Sequence, residues 1–387
     1  MKFTTILVGS LSLATGISAA PSPADVDQAK ASKYISELGK VYQANVLQTV
    51  KSNPKTKCTP DKLIRRKEWG SMAKKEQLSY VNAVICLSKT PARTSLDVAP
   101  GARSRYDDFI VLHHLKTPFV HGNGRFLGFH RAFVHLYETA LREECGYTGG
   151  QPYWDWTKSY KDPRTASIFD GSPYSLSGNG KYVPNRAPIT SYIGKGLFLD
   201  RLPGTGGGCV ESGPFTADKF TINLGPFGYN ATEDPSVPGD GLGYNPRCLK
   251  RDFSTYYSQF SRPTNVTHVL DAADLEEFNA NMDHPVRGIH GTGHFQVGGI
   301  MYDTFASPSD PAFFAHHAQL DRIWAIWQGQ NASARTNQLW GTLTAGNEPP
   351  SADVTADTPV ELGVLHADYK LGEILSTIDG PHCYIYE

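Results

Sequence analysis

Apolar residues recur at helical spacing in several separated stretches of this chain. Residues 21 to about 55 are polar and helix-prone, with apolar residues near a helical period. They read as a docked helix or a removable pro-segment. Ser71 ahead of Met72-Ala73-Lys74-Lys75-Glu76 reads as a helix start, and Tyr80, Ala83, Val84 and Leu87 as its apolar stripe. Arg105 to Val111 and Phe126 to Glu143 read as two further helices. In the second, Phe126, Phe129, Phe133, Tyr137, Ala140 and Leu141 recur at spacings of three and four. Leu270 to Asn281, Ile289 to Phe295 and Pro311 to Trp327 complete the helical set. Asp310 would cap the last of these and Pro311 would take its first position. Residues 150 to 250 change character: Gly, Pro, Ser, Asn and Tyr dominate, and regular structure is scarce. Long loops of this kind on a helical scaffold often wall a binding site. The tail from 355 to 387 mixes strand-like and turn signals.

The start of the chain adds a destination. MKFTTILVGSLSLATGISAAPSP has a basic residue at Lys2, a short apolar run and small residues at Ala19 and Ala20. Residues 1–20 therefore read as a secretory signal peptide. No stretch reaches the ~20 apolar residues of a membrane span. Secretion implies an oxidising compartment, so Cys58, Cys86, Cys145, Cys209, Cys248 and Cys383 are disulfide candidates. Counting alone leaves roughly 15 pairings open. Cys209 with Cys248 would close the Gly-rich middle, and Cys58 with Cys383 would tie the two ends together. Asn230, Asn265 and Asn331 head glycosylation sequons, which fit an extracellular chain. A formal net charge of -1 gives no electrostatic footprint for nucleic acid.

The candidate chemistry lies in histidines. YDDFIVLHHLKTPFVHGNGRFLGFHRAFVHLYE offers His113, His121 and His130; IHGTGHFQVGG and SPSDPAFFAHHAQLDRIWAIWQ offer His290, His294 and His317. Neutral imidazole is the commonest metal ligand. Three imidazoles per ion with open positions describe a reactive rather than a structural site. His290 and His294 are four apart and share a helix face, as do His317 and Asp321. Asp321 would orient a neighbouring imidazole or pair with Arg322. Gly291 and Gly293 are poor helix formers, so bulk is unwelcome near that face. His113, His121 and His130 converge only if their helices pack as a bundle, a known setting for paired metals. His114, His135, His284, His366 and His382 read as ordinary structural histidines.

These motifs, HxxxxxxxHGxGxFLxxHRxFxxxxE, then HGxGH, then DPxFFxHHxxxDRxWxxW, resemble the tyrosinase, catechol oxidase and haemocyanin family of type-3 dicopper proteins. The match is closest to short secreted fungal polyphenol oxidases and covers residues 58–387, with QPYWDW at 151–156 also similar. The resemblance implies a mainly α domain on a four-helix core, with long irregular loops and a few short strands. It implies His113, His121 and His130 on one copper, and His290, His294 and His317 on the other, with His317 chosen over His316. It implies O2 as co-substrate, a small phenolic substrate and an o-quinone product.

Several positions depart from the family pattern. Phe119 stands where many members carry a cysteine joined to the second histidine. Gly291 stands where tyrosinases often have Asn, and Asn281 where a glutamate nine residues before His290 often holds a water. Phe129 replaces a tryptophan, His114 is extra, and AHH replaces LHH. After Tyr384-Ile385-Tyr386, where longer fungal enzymes continue into a covering domain, this chain stops. No lid domain is expected. The expected activity is oxidation of o-diphenols or o-substituted phenols, with weak or absent tyrosine hydroxylation. Phe295 and Phe314 are candidate substrate walls. Zinc also takes three histidines and a water. The changes at Phe129 and Gly291 leave open a zinc-dependent lyase or hydrolase acting on a secondary metabolite. Oxygen carriage and a non-enzymatic glycoprotein are the remaining alternatives.

Overall fold

The structure is a computed structural model and describes residues 28–52, 58–194, 197–227, 239–285 and 287–387. The leader at 1–20 and the sequon at Asn230 lie outside those residues. No helix among the described residues is long and apolar enough to cross a membrane.

Helix α1 (Gln28–Ser52) buries Ala31, Ile35, Tyr42, Val46 and Val50, the stripe its spacing dictates. Strand β1 (Ile64–Arg66) follows, then α2 (Lys74–Leu87), α3 (Arg105–Val120) and α4 (Phe126–Cys145). Short strands β2 (Gly180–Tyr182), β3 (Ile189–Gly194), β4 (Leu197–Arg201) and β5 (Gly207–Val210) punctuate the irregular middle. Helices α5 (Thr255–Ser258), α6 (Pro263–Leu270), α7 (Leu275–Met282), α8 (Ile289–Val297), α9 (Ala312–Gly329) and α10 (Ala332–Arg335) come next, before β6 (Pro359–Val360), β7 (Tyr369–Lys370) and β8 (Tyr384–Tyr386). The four sheets among the described residues have two strands each; β1 pairs with β8 in parallel, Ile64 opposite Tyr384. The architecture is mainly helical, and α3, α4, α8 and α9 form its core. Helix α1 packs on α6 and α9, so the described part of the 21–57 segment is a docked helix.

Several helix boundaries differ from the expectation. Helix α9 starts at Ala312 with Pro311, not Asp310, as its N-cap residue, and Asp310 Oδ1 accepts the Ala312 N–H at 2.9 Å. Ser71 closes a 3-10 turn, and α2 starts at Lys74, where the Glu76 carboxylate accepts the Ala73 N–H at 2.8 Å. Helix α3 runs past Val111 to Val120. Pro118 enters only its last turn, and Thr117 Oγ1 donates to the His113 carbonyl at 2.7 Å. The expected helix over 270–281 is two helices. Asp274 caps the second by accepting the Glu277 N–H at 2.9 Å.

All six cysteines are paired: Cys58–Cys383, Cys86–Cys145 and Cys209–Cys248. Two are the pairings expected from position; the third joins the ends of α2 and α4. Asn331 is exposed at the start of α10, whereas the Asn265 amide is engaged with the Phe260 carbonyl at 2.8 Å.

A buried charge network locks this frame. Asp321 on α9 accepts Arg131 Nε from α4 at 2.6 Å, the Tyr384 and Tyr386 hydroxyls from β8 at 2.6 and 2.7 Å, and Arg66 from β1 at 3.4 Å. Arg66 also forms a two-point pair with Glu138 on α4, at 3.1 and 2.8 Å. Burial alone would raise the Asp321 pKa; Arg131, then Arg66 and the two tyrosines, hold it below the ordinary value. The aspartate therefore touches neither an imidazole nor Arg322, as the helix spacing had suggested. Arg322 instead lies over the Tyr153 ring. Asp321→Ala leaves two buried guanidinium groups short of a partner. It should cost about 3–5 kcal/mol. Urea unfolding measures this, and an unchanged midpoint would contradict the role.

Candidate metal centre

His113 lies mid-way along α3, and His121 is the residue that ends it, with an extended backbone at φ -120°. The next residue, Gly122, has a positive φ of 61°, which turns the chain toward α4. His130 then follows one turn into α4. Opposite them, α8 presents His290 and His294, and α9 presents His317. Within each triad, one ligand atom per histidine lies within 4.8 Å of the others. The triads face each other: the His130 and His317 rings stack with centroids 4.4 Å apart. All six expected histidines are therefore brought together in two groups of three.

The hydrogen bonds decide which nitrogen each ring offers. His113 Nδ1 donates to the Phe305 carbonyl at 2.9 Å, His121 Nδ1 to Thr117 at 3.0 Å, and His130 Nδ1 to Phe126 at 2.8 Å. His290 Nδ1 donates to the Asp283 carboxylate at 2.7 Å. With the proton on Nδ1, the Nε2 lone pair faces inward. Nε2 of His113, His130 and His290 is buried with no hydrogen-bond partner among the described residues. Nε2 of His294 and of His317 approach to 3.2 Å. Buried polar atoms normally have partners. Converging lone pairs without one fit a pair of bound cations, and an all-imidazole set suits copper.

The wall is aromatic. Phe313 lies against His317 at 4.1 Å, His113 at 5.1 Å and His294 at 5.7 Å. Phe126 lies 4.7 Å from His290 and 4.9 Å from His130. Burial, then the neighbouring imidazoles, hold His113, His130, His294 and His317 well below the ordinary histidine pKa, and His121 down to about 4.

The expected walls divide. Phe295 is partly exposed beside Gly291, between Tyr257, Tyr302 and the Arg201 guanidinium. Phe314 is not a wall: it is fully buried and stacks on Tyr137 at 3.5 Å, because its neighbour Phe313 takes the site-facing side of α9. Asn281 donates its amide to the His268 carbonyl at 3.5 Å. Phe119 is 58% exposed, and the backbone bond to Thr117 orients His121. His114 packs between Phe227 and Phe305.

Sequence reasoning missed Asp283, Phe313 and Asp303. Asp283 sits in a turn, with no helical register to His290. Asp303 accepts the Phe305 and Ala306 N–H groups at 3.0 and 3.1 Å and so sets the loop on which His113 leans. Burial pushes the Asp303 carboxyl up to about 6.

These depressed pKa values give a stability prediction for the metal-free protein. The unfolded chain binds protons below pH ~6.5 that the folded site refuses. Stability should therefore be full above that pH and fall as pH drops toward 4. The slope is about 1.4 kcal/mol per pH unit for each histidine kept neutral. Urea midpoints of the metal-free protein between pH 7.5 and 4.5 measure this, and a flat profile would contradict it.

Comparison with known proteins agrees with this geometry. The model of the common central domain of tyrosinase matches residues 103–330. Tyrosinase P of Aspergillus terreus is 40% identical over 328 residues, covering 83% of this chain and 91% of its own. The N-acetyl-6-hydroxytryptophan oxidase of Emericella nidulans is 39% identical over 349 residues, covering 85% and 94%. A glycine-to-asparagine variant of the polyphenol oxidase of Thermothelomyces thermophila superimposes with a TM-score of 0.86 at 40% identity, over 92% of this chain and 98% of that one. On its two facing histidine triads, its helical core and these matches, the chain belongs to the tyrosinase family of oxidoreductases.

Proposed function

We propose that this chain is a secreted type-3 copper oxidase that uses O2 to convert o-diphenols or o-substituted phenols to o-quinones, with weak or absent tyrosine hydroxylation. The observation that carries the proposal is the pair of facing triads, with at least four imidazoles proton-out and Nε2-in. His113, His121 and His130 would hold one copper and His290, His294 and His317 the other. Bound there, the pair supplies O2 binding and the two-electron oxidation: two diphenols and one O2 give two quinones and two waters.

The rest falls to this chain's own side chains. Phe313 and Phe126 exclude water from the imidazoles, which keeps them neutral. Asp283 fixes the tautomer and orientation of the His290 ring. Gly291 leaves open space: a Cβ there would meet only the Phe295 ring, at 3.4 Å. Glycine at 291 lacks the amide, and asparagine at 281 lacks the carboxylate, that would orient a water as base toward an incoming phenol. A diphenol already carries the second oxygen and has less need of that base. Tyrosinase P and the N-acetyl-6-hydroxytryptophan oxidase, both named for hydroxylated aromatic substrates, support a phenolic substrate. The leader at 1–20, the three disulfides and the exposed sequon at Asn331 support secretion.

Oxygen uptake on catechol, guaiacol and tyrosine tests the reading. Catechol should turn over at least about 100-fold faster than tyrosine, a barrier difference of ~2.7 kcal/mol. Gly291→Asn fits the space and should raise tyrosine turnover about tenfold relative to catechol, the worth of one well-placed hydrogen bond. Tyrosine turnover as fast as catechol, without a lag, would contradict the specificity. No oxygen uptake with any phenol, on protein that holds zinc, would move the chain to the zinc-dependent lyase or hydrolase reading.

A further inference from the structure

Two conspicuous motif residues remain without a role: His316, the first histidine of the HH pair, and Trp156, the last residue of QPYWDW. The structure puts them in contact. His316 is fully buried on α9, one residue before His317. The Trp156 indole Nε1 donates to His316 Nδ1 at 3.2 Å, and His316 Nε2 lies 3.0 Å from the His290 carbonyl oxygen. An indole N–H can only donate. His316 Nδ1 is therefore the acceptor, the ring proton sits on Nε2, and that proton points at the carbonyl of the first residue of the second triad.

The space for this ring is built in. A Cβ on Gly293 would lie 1.9 Å from His316 Cε1 and 2.4 Å from Nδ1, so only glycine fits between His290 and His294 at that turn. The His316 ring lies parallel to His290, at 6.1 Å and 2°, and edge-on to His294 at 4.8 Å. The tryptophan end is anchored as well. The Trp154 backbone N–H donates to the Ala315 carbonyl at 3.0 Å, and the Gln319 amide donates to Asp155 Oδ1 at 3.2 Å. Helix α8 is short, and two of its residues are the poor helix formers Gly291 and Gly293. Its register against α9 needs an outside brace.

We propose that His316 is the positioning residue of the second triad. Oriented by Trp156 and seated on Gly293, it ties the His290 backbone to α9 and so sets the spacing between His290, His294 and His317. It is not itself a ligand, since both its ring nitrogens are committed. The proposal rests on this triad holding a metal and is indifferent to which metal.

The test measures metal retention rather than turnover. Protein loaded with two zinc ions, or two copper ions, is challenged with EDTA, and metal loss is followed by elemental mass spectrometry. His316→Phe keeps the ring and removes both hydrogen bonds. One of its two metals should leave at least tenfold faster than in the wild type while the other is unaffected. His316→Gln, whose amide can still donate to the His290 carbonyl, should recover most of the difference. Trp156→Phe, remote from the metal, should speed loss of the same single ion several-fold. Two metals lost at wild-type rates in His316→Phe would overturn the proposal, as would equal acceleration of both. If His316→Phe does not fold, Trp156→Phe decides in the same way. Failure of the oxidase reading would appear separately, as absent oxygen uptake with the site-selective loss intact.

Discussion

Everything in this molecule turns on where six imidazoles keep their protons. A buried, neutral histidine has one donor and one acceptor nitrogen, and the donor must be satisfied. His121 and His130 spend theirs on carbonyls four residues back, so each ring is tied to its own stretch of chain. His113 and His290 spend theirs across the fold, on Phe305 and Asp283. Once those protons point outward, the remaining lone pairs can only converge. The dry aromatic wall makes the arrangement costly without a cation and specific with one.

Such convergence requires rigid backbones, and the frame supplies them. Asp321 binds α4, β1 and β8 to α9 through four partners, with Arg66 lying 3.5 Å over the Tyr384 ring. The Cys58–Cys383 bond and the parallel pairing of β1 with β8 close the chain on the same side of the molecule. At the start of α9, the buried Arg251–Asp310 pair, at 2.8 Å, fixes the irregular middle segment to the helix that carries Phe313 and His317. The long loops are therefore anchored to the metal helices at a charged joint, which lets them shape an approach without disturbing the ligands.

The helices and the ligand triads were legible because periodicity and metal chemistry act at short range. The 126–145 stripe and the pair His290 and His294 follow from helical geometry alone. The resemblance of the HGxGH and HHxxxDR motifs to a known family added the choice of His317 over His316. Less was legible where the partner is distant in sequence. Asp321 was expected beside an imidazole, since its i,i+4 neighbour is His317, but Arg66 lies 255 positions away and wins it. Phe314 was expected as a wall and Phe313 was missed, because one helical step separates facing the histidines from facing Tyr137. Asp283 carried no signal at all: a turn has no period to read. Helix α3 was read only as far as Val111 and runs to Val120, with Pro118 inside its last turn.

The central claim is that the two triads form one dinuclear copper centre. Elemental mass spectrometry of mature protein, produced with copper and zinc both available, tests it most directly. The account predicts two coppers per chain, both lost when His130 and His317 are replaced together. A chain that takes up zinc in preference to copper, or that holds fewer than two metal ions when wild type, would contradict it.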